Sequence, residues 1–189
     1  MRMSAFVTLA ALCTAAVMLV STPTAAQDAT WLDGDLDSWN SPAMAIPTAP
    51  AIEGNSSPRC AAMERPAETT EDDALMAAGW RLFLPYQRGW DVMVIPGLAA
   101  YDSMCRPLGY QWFVFVDSAF AGTVAPEPMD SRTDGAADNV TLWFKDQLSA
   151  EFERYTANDP LCCPSGNTEV SYAIEETEEG PVINPVKPE

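Results

Sequence analysis

The chain has 189 residues, with 27 Asp plus Glu against 10 Lys plus Arg, 16 prolines, 5 cysteines and no histidine. Its length favours one domain with flexible flanks, and the missing imidazole removes Ser-His-Asp and Cys-His nucleophiles and every His-ligated zinc or haem site. A formal charge of −17 repels phosphate backbones and anionic head groups, so no nucleic-acid partner is expected.

Residues 1–26 read as a secretory signal peptide. Arg2 supplies the cationic start, an apolar run from Ala5 to Val20 follows, and Thr24-Ala25-Ala26 supplies the small residues of a cleavage site. The run is about 16 residues, short of the roughly 20 needed to span a bilayer. No later segment is long and apolar enough, so no transmembrane segment is expected after signal removal. The compartment this implies is periplasmic or extracellular. Cys13 follows the bulky Leu12 rather than the small residue that lipidation wants, and reads as part of the discarded peptide.

Residues 27–58 are rich in Ala, Pro, Ser, Thr and Asp, with Pro42, Pro47, Pro50 and Pro58 interrupting any regular element. They read as a flexible leader, in which Trp31, Leu32, Leu36 and Trp39 are the residues able to dock on a domain as a short turn or strand. Thr70-Glu71-Asp72-Asp73, then Ala74-Leu75-Met76-Ala77-Ala78 and Gly79, give an N-cap, a helix-forming body and a glycine stop, which predict a short helix over 70–78.

Beyond it the period changes. Residues 80–84, 90–95, 110–116 and 168–174 are aromatic and β-branched, are bounded by Pro or Gly, and predict strands. The near-continuous apolarity of 110–116 suggests a strand covered on both faces. Asp117-Ser118 reads as the turn into a hairpin partner at 120–124, and 125–135 as a loop. Residues 139–144 predict another strand. Residues 147–155 suit strand or helix, and strand is preferred because β-rich neighbours need a partner. The expectation is an α+β or mainly β domain at 59–178, built on a single antiparallel sheet with a short N-terminal helix, and a frayed acidic, proline-bearing tail at 179–189.

Cys60, Cys105, Cys162 and Cys163 make an even number in an exported chain, so two disulfides are expected. Bonding between neighbours distorts the intervening peptide. The favoured pairings therefore join Cys60 and Cys105 to Cys162 and Cys163 in either order, each worth about 4 kcal/mol in the chain-entropy model. A redox-active pair or thiolate metal site at Cys162-Cys163 is the alternative, but the C-x-x-C spacing is absent.

Three pieces of sequence resemble the LppP/LprE-type lipoprotein family of exported bacterial proteins. They are Phe113-Val114-Phe115-Val116 with Gly122-Thr123, the run from Pro126 to Gly135, and Arg154-Tyr155 followed by Asp159-Pro160-Leu161-Cys162-Cys163-Pro164-Ser165. The last is the most specific, and the resemblance extends over about residues 72–176. It implies a domain of the cell envelope with no assigned reaction and supplies no catalytic residues. No cysteine stands at the expected mature N-terminus.

Candidate chemistry is sparse. Asp33, Asp35 and Asp37 alternate as in a calcium loop, but Ser38 and Met44 stand where an EF-hand needs Gly and Glu. Arg132 and Asp134 in one loop, and Arg154 and Tyr155 in another, are the residues able to build a polar ligand pocket, with the arginines as donors and the tyrosine as a stacking face. The competing interpretation has the arginines satisfying carboxylates and fixing loops. No cofactor or metal is expected. The reading is an exported, non-catalytic envelope or secreted protein whose partner is an envelope component or small polar ligand. The alternative is a small carboxylate-dependent hydrolase acting on envelope polysaccharide, for which nothing in the sequence selects a pair among the 27 acids.

Overall fold

The computed structural model describes residues 30–54 and 57–186. The expected signal peptide, Cys13 and the last three residues lie outside them. Two short helices precede the strands: α1, Pro58–Ala61, and α2, Thr70–Ala77. The second begins where the sequence places it. The hydroxyl of Thr69 accepts the Asp72 N–H at 3.1 Å, Glu71, Asp72 and Asp73 face the positive end of the helix dipole, and Gly79 at φ +92° lets the chain turn away. Asp72 is fully buried. Its two oxygens take Arg65 at 2.7 and 2.6 Å, and the Glu68 N–H donates to it at 3.0 Å.

The strands are β1 Arg81–Leu82, β2 Gln87–Gly89, β3 Val92–Leu98, β4 Ala100–Tyr101, β5 Pro107–Leu108, β6 Gln111–Val116, β7 Ala119–Thr123, β8 Ala137–Phe144, β9 Gln147–Arg154, β10 Gly166–Thr177 and β11 Gly180–Pro185. They form three antiparallel sheets rather than the single one expected: β1-β3-β6-β7 with β2 on β3, then β11-β10-β9-β8, and the small pair β4-β5. The fold is mainly β. One sheet cannot satisfy this sequence, because β6 is apolar on both faces and needs a cover on each. Trp112, Val114 and Val116 face a core shared with Leu148, Phe152, Val170 and Tyr172 of the second sheet. Phe113 and Phe115 face a second core with Leu75, Trp80 and Ile95. Each large side chain so buried is worth about 1.5–3 kcal/mol.

The segment 30–54 is not the loose leader its composition suggests. Trp31, Leu32, Leu36 and Trp39 pack on the first core, and Ile46 and Ala49 on the second. The Trp80 indole donates to the Pro47 carbonyl at 2.7 Å. Asn40 is buried and ties the two large sheets together. Its amide nitrogen donates to the carbonyls of Thr123 (3.0 Å) and Ile183 (3.1 Å), while its oxygen accepts the Thr123 N–H at 2.9 Å. Aromatic residues within a polar background outweigh its prolines, because their burial offsets the ordering entropy. The tail is corrected likewise: Gly180–Pro185 pairs with β10 from Thr177 back to Tyr172, and Val182 and Ile183 are buried.

The disulfides also differ from the expected pairing. Cys60 bonds Cys105 with a Cα–Cα separation of 5.0 Å, and Cys162 bonds Cys163. Burial separates the two pairs. Cys60 and Cys105 lie in the first core, whereas Cys162 and Cys163 are exposed in the loop that leaves the β9-β10 ladder beyond Arg154↔Gly166.

Candidate functional site

Of the four residues expected to line a ligand pocket, the structure gathers three around one carboxylate. Asp134 takes the Arg154 Nε at 3.1 Å and the Tyr155 backbone N–H at 2.7 Å. Arg154 turns its other end to Asp33 at 2.5 Å. Hydrogen bonding to Asp33 lifts the Arg154 pKa further above its usual value, and the Arg154 guanidinium in turn holds the Asp33 carboxyl below its own. Arg154 is therefore spent on fixing the loop at 134 and the turn at 31–33 to the end of β9. Asp130 and Asp159 are similarly spent: the first accepts the Gly109 N–H at 2.7 Å, the second those of Thr156 and Ser165 at 2.7 and 3.1 Å.

Arg132 is different. Among the described residues its guanidinium has no ion pair within 4 Å, and its backbone adopts φ +65°, a left-handed conformation uncommon for a long side chain and recurrent at ligand sites. It lines a cleft of about 280 Å³. Its lining combines the aromatic residues Phe83, Tyr110 and Trp112 and the apolar Leu84 and Pro107 with the charged Arg106, Arg132, Asp138 and Glu153. They come from the segment after β1, from β5 and the residue before it, from β6 and the residue before it, from the loop between β7 and β8, from the start of β8 and from the end of β9.

The polar groups of the cleft are not equivalent. Arg106 is held by Asp102 through its side chain and backbone. The Tyr110 hydroxyl donates to the Ala137 carbonyl at 2.7 Å, and burial pushes its pKa far upward. Burial, then the Asp138 carboxylate, raises the Glu153 pKa. The Tyr155 hydroxyl at 3.3 Å and the Arg132 backbone N–H and positive charge only partly offset this. The Trp112 indole nitrogen is buried and has no hydrogen-bond partner. An indole N–H can only donate, and this one is sealed from solvent. Asp138 and Glu153 also line an adjoining hollow of about 320 Å³ whose far wall is Pro164, Ser165 and Gly166, directly after the cysteine pair.

Sequence reasoning found Arg132 but missed Glu153, Asp138 and the aromatic lining. Trp112 and Tyr110 were legible only as core residues, and no local pattern reports that the end of β9 closes on them. No group of three or more Cys, Asp or Glu poised for a metal is present among the described residues, and none of their helices is long and apolar enough to cross a membrane.

With the cleft, the paired loops and the cysteine turn in view, the chain can be set beside known proteins. Residues 90–177 match the LppP/LprE lipoprotein family. The resemblance seen in the sequence is thus borne out over β3 to β10, the part that carries most of the cleft. The LppP/LprE match supports an association with the cell envelope and assigns no activity. Comparison with curated proteins and with solved structures found no match.

Proposed function

We propose that this protein is a non-catalytic, envelope-associated binding module whose seat for a small, hydroxyl-rich ligand is the Arg132–Glu153 cleft. The observation that carries the reading is the composition of one cleft: Arg132, which makes no ion pair within 4 Å, lines it together with the aromatic residues Phe83, Tyr110 and Trp112. Carboxylates pair Arg65, Arg81, Arg106 and Arg154, whereas Arg132, which lines the cleft, makes no ion pair within 4 Å among the described residues. An arginine left unpaired beside aromatic rings is the usual composition of a binding site: apolar walls with a few placed polar groups.

A titration followed by calorimetry, using a panel of simple saccharides, tests this. Binding that disappears in Arg132→Gln while the melting temperature holds supports the seat. Binding indifferent to Arg132 removes it. A second reading, a carboxylate-dependent hydrolase, draws on the raised carboxyl of Glu153 beside Asp138, the pairing of acid and base that glycoside cleavage requires. Turnover of a polysaccharide that stops in Glu153→Gln would replace binding with catalysis as the role of the same cleft.

A further inference from the structure

We propose that the Cys162-Cys163 bridge is a thiol-exchange site, opened by a small thiol and closed again while Cys60-Cys105 stays intact. The site is independent of what the cleft binds. The fold treats its two bridges in opposite ways. Cys60 and Cys105 lie within the first core, out of reach of an attacking thiolate. Their bridge spans 45 positions and so stabilises the fold; by linkage the fold protects that bridge against reduction by the same factor, about a thousandfold. The second bridge joins neighbours, closes no loop and receives no such protection. Both of its cysteines are exposed. Neighbouring Cα atoms stand 3.8 Å apart, nearer than the roughly 4.4–6.8 Å a relaxed disulfide spans, and bridges outside that range are the more readily reduced.

The turn that carries the pair is secured on both sides of it. Asp159 accepts the N–H groups of Thr156 and Ser165, at 2.7 and 3.1 Å, and so clasps the chain before and after the two cysteines. The Tyr155 hydroxyl donates to the Leu161 carbonyl at 3.2 Å, and the Cys163 N–H to the Pro160 carbonyl at 2.9 Å. None of these bonds involves either sulfur. They hold the turn when the bridge opens and keep the two thiols side by side for reclosure. The small thiol is the reductant. Its thiolate attacks one sulfur of the pair, a mixed disulfide forms, and the Sγ–Sγ bond breaks to release the other cysteine as a thiolate that takes a proton from water. A second thiol attacks the mixed disulfide and leaves as the small disulfide, so that two electrons pass from two small thiols to the pair. The reverse sequence, from the small disulfide, closes the bridge.

The test equilibrates the unaltered full chain with graded ratios of 2-mercaptoethanol to its disulfide, traps free thiols with N-ethylmaleimide and reads the labelled peptides by mass spectrometry. Cys162 and Cys163 should be labelled together, with an exchange constant at least about a hundredfold further toward reduction than that of Cys60-Cys105. The selectively reduced protein should keep its melting temperature, and the small disulfide should close the pair again. In Cys162→Ser, which removes the neighbour that expels the small thiol, Cys163 should retain one 2-mercaptoethanol as a stable mixed disulfide. Labelling of Cys60 and Cys105 before or together with the pair overturns the proposal. So does a fall in melting temperature on opening the pair, which makes the bridge structural, or a Cys163 that forms no mixed disulfide in Cys162→Ser.

Discussion

Removing the two disulfides separately should have very unequal effects. Cys60 and Cys105 are separated by 45 positions, and a bridge closing a loop of that length restricts the unfolded chain by about 4 kcal/mol in the chain-entropy model. Both residues are buried, at 0% and 5% exposure, so Cys60→Ala with Cys105→Ala also loses packing. The double variant should therefore lose about 4 kcal/mol or somewhat more, which at roughly 2–4 °C per kcal/mol is a fall in Tm of about 8–16 °C. Cys162 and Cys163 are neighbours and exposed. Their bridge closes almost no chain, so Cys162→Ala with Cys163→Ala should cost about 1 kcal/mol or less. Urea unfolding followed by tryptophan fluorescence measures both, with the slope reporting whether the unfolded state has expanded. Large and similar losses in the two variants would refute the reasoning, since that is the outcome if the core cysteines were bonded to the exposed pair.

Asp72→Asn strands Arg65 beside a group that no longer carries charge, and unpairing a buried ion should cost about 3–5 kcal/mol in the same urea assay. Burial opposes ionisation of Asp72, yet the hydrogen bonds from Arg65 and the Glu68 N–H outweigh it and hold the carboxyl below its ordinary value. Its contribution is thus complete above about pH 4 and is lost as pH falls through the folded value, so Asp72→Asn should flatten the acid limb of the stability profile. Arg154→Gln should lower Tm by a few degrees because Asp33 and Asp134 lose their partner, whereas Arg132→Gln should leave it unchanged; thermal melting of the two decides. Asn40→Ala leaves the buried Thr123 N–H without its acceptor and takes a donor from the Thr123 and Ile183 carbonyls, the first of which keeps the Trp39 indole, and should destabilise the protein by about 1–3 kcal/mol, with early hydrogen exchange at β7 and β11.

How far the sequence speaks for this fold depends on whether a signal is local. The helix at Thr70–Ala77 was readable because its cap, acidic first turn and glycine stop are contiguous. The hairpin from β6 to β7 was readable because Asp117-Ser118 falls between two apolar runs, and both residues do adopt positive φ, at +46° and +66°. The strand preference for 147–155 held, β9 ending at Arg154. The division into two large sheets was half visible in the two-faced apolarity of 110–116. What escaped was whatever depends on distant segments meeting. Gln87 is an ordinary polar residue in sequence, yet its amide accepts the Leu142 N–H at 3.0 Å and donates to the Val140 carbonyl, bonding the edge of β8 as a neighbouring strand would. The tail was misread because Pro181 and Pro185 suggested fraying. Pro185 stands opposite Tyr172 at the end of the ladder and Pro181 opposite Glu176 near its start, edge positions where a missing N–H is tolerated. The site was legible to the extent of Arg132 alone, because an unpaired cation among acids is a statement about neighbours that only the fold supplies.

The bonds made by Asn40 join residue 40 to residues 123 and 183, and a polypeptide grows from its N-terminus. The clasp is consequently among the first parts made and among the last to close, since it must wait for the final strand to emerge. Until then the nascent chain holds a half-fastened molecule whose first core still lacks Ile183. A truncation that removes Ile183 would leave it in that form.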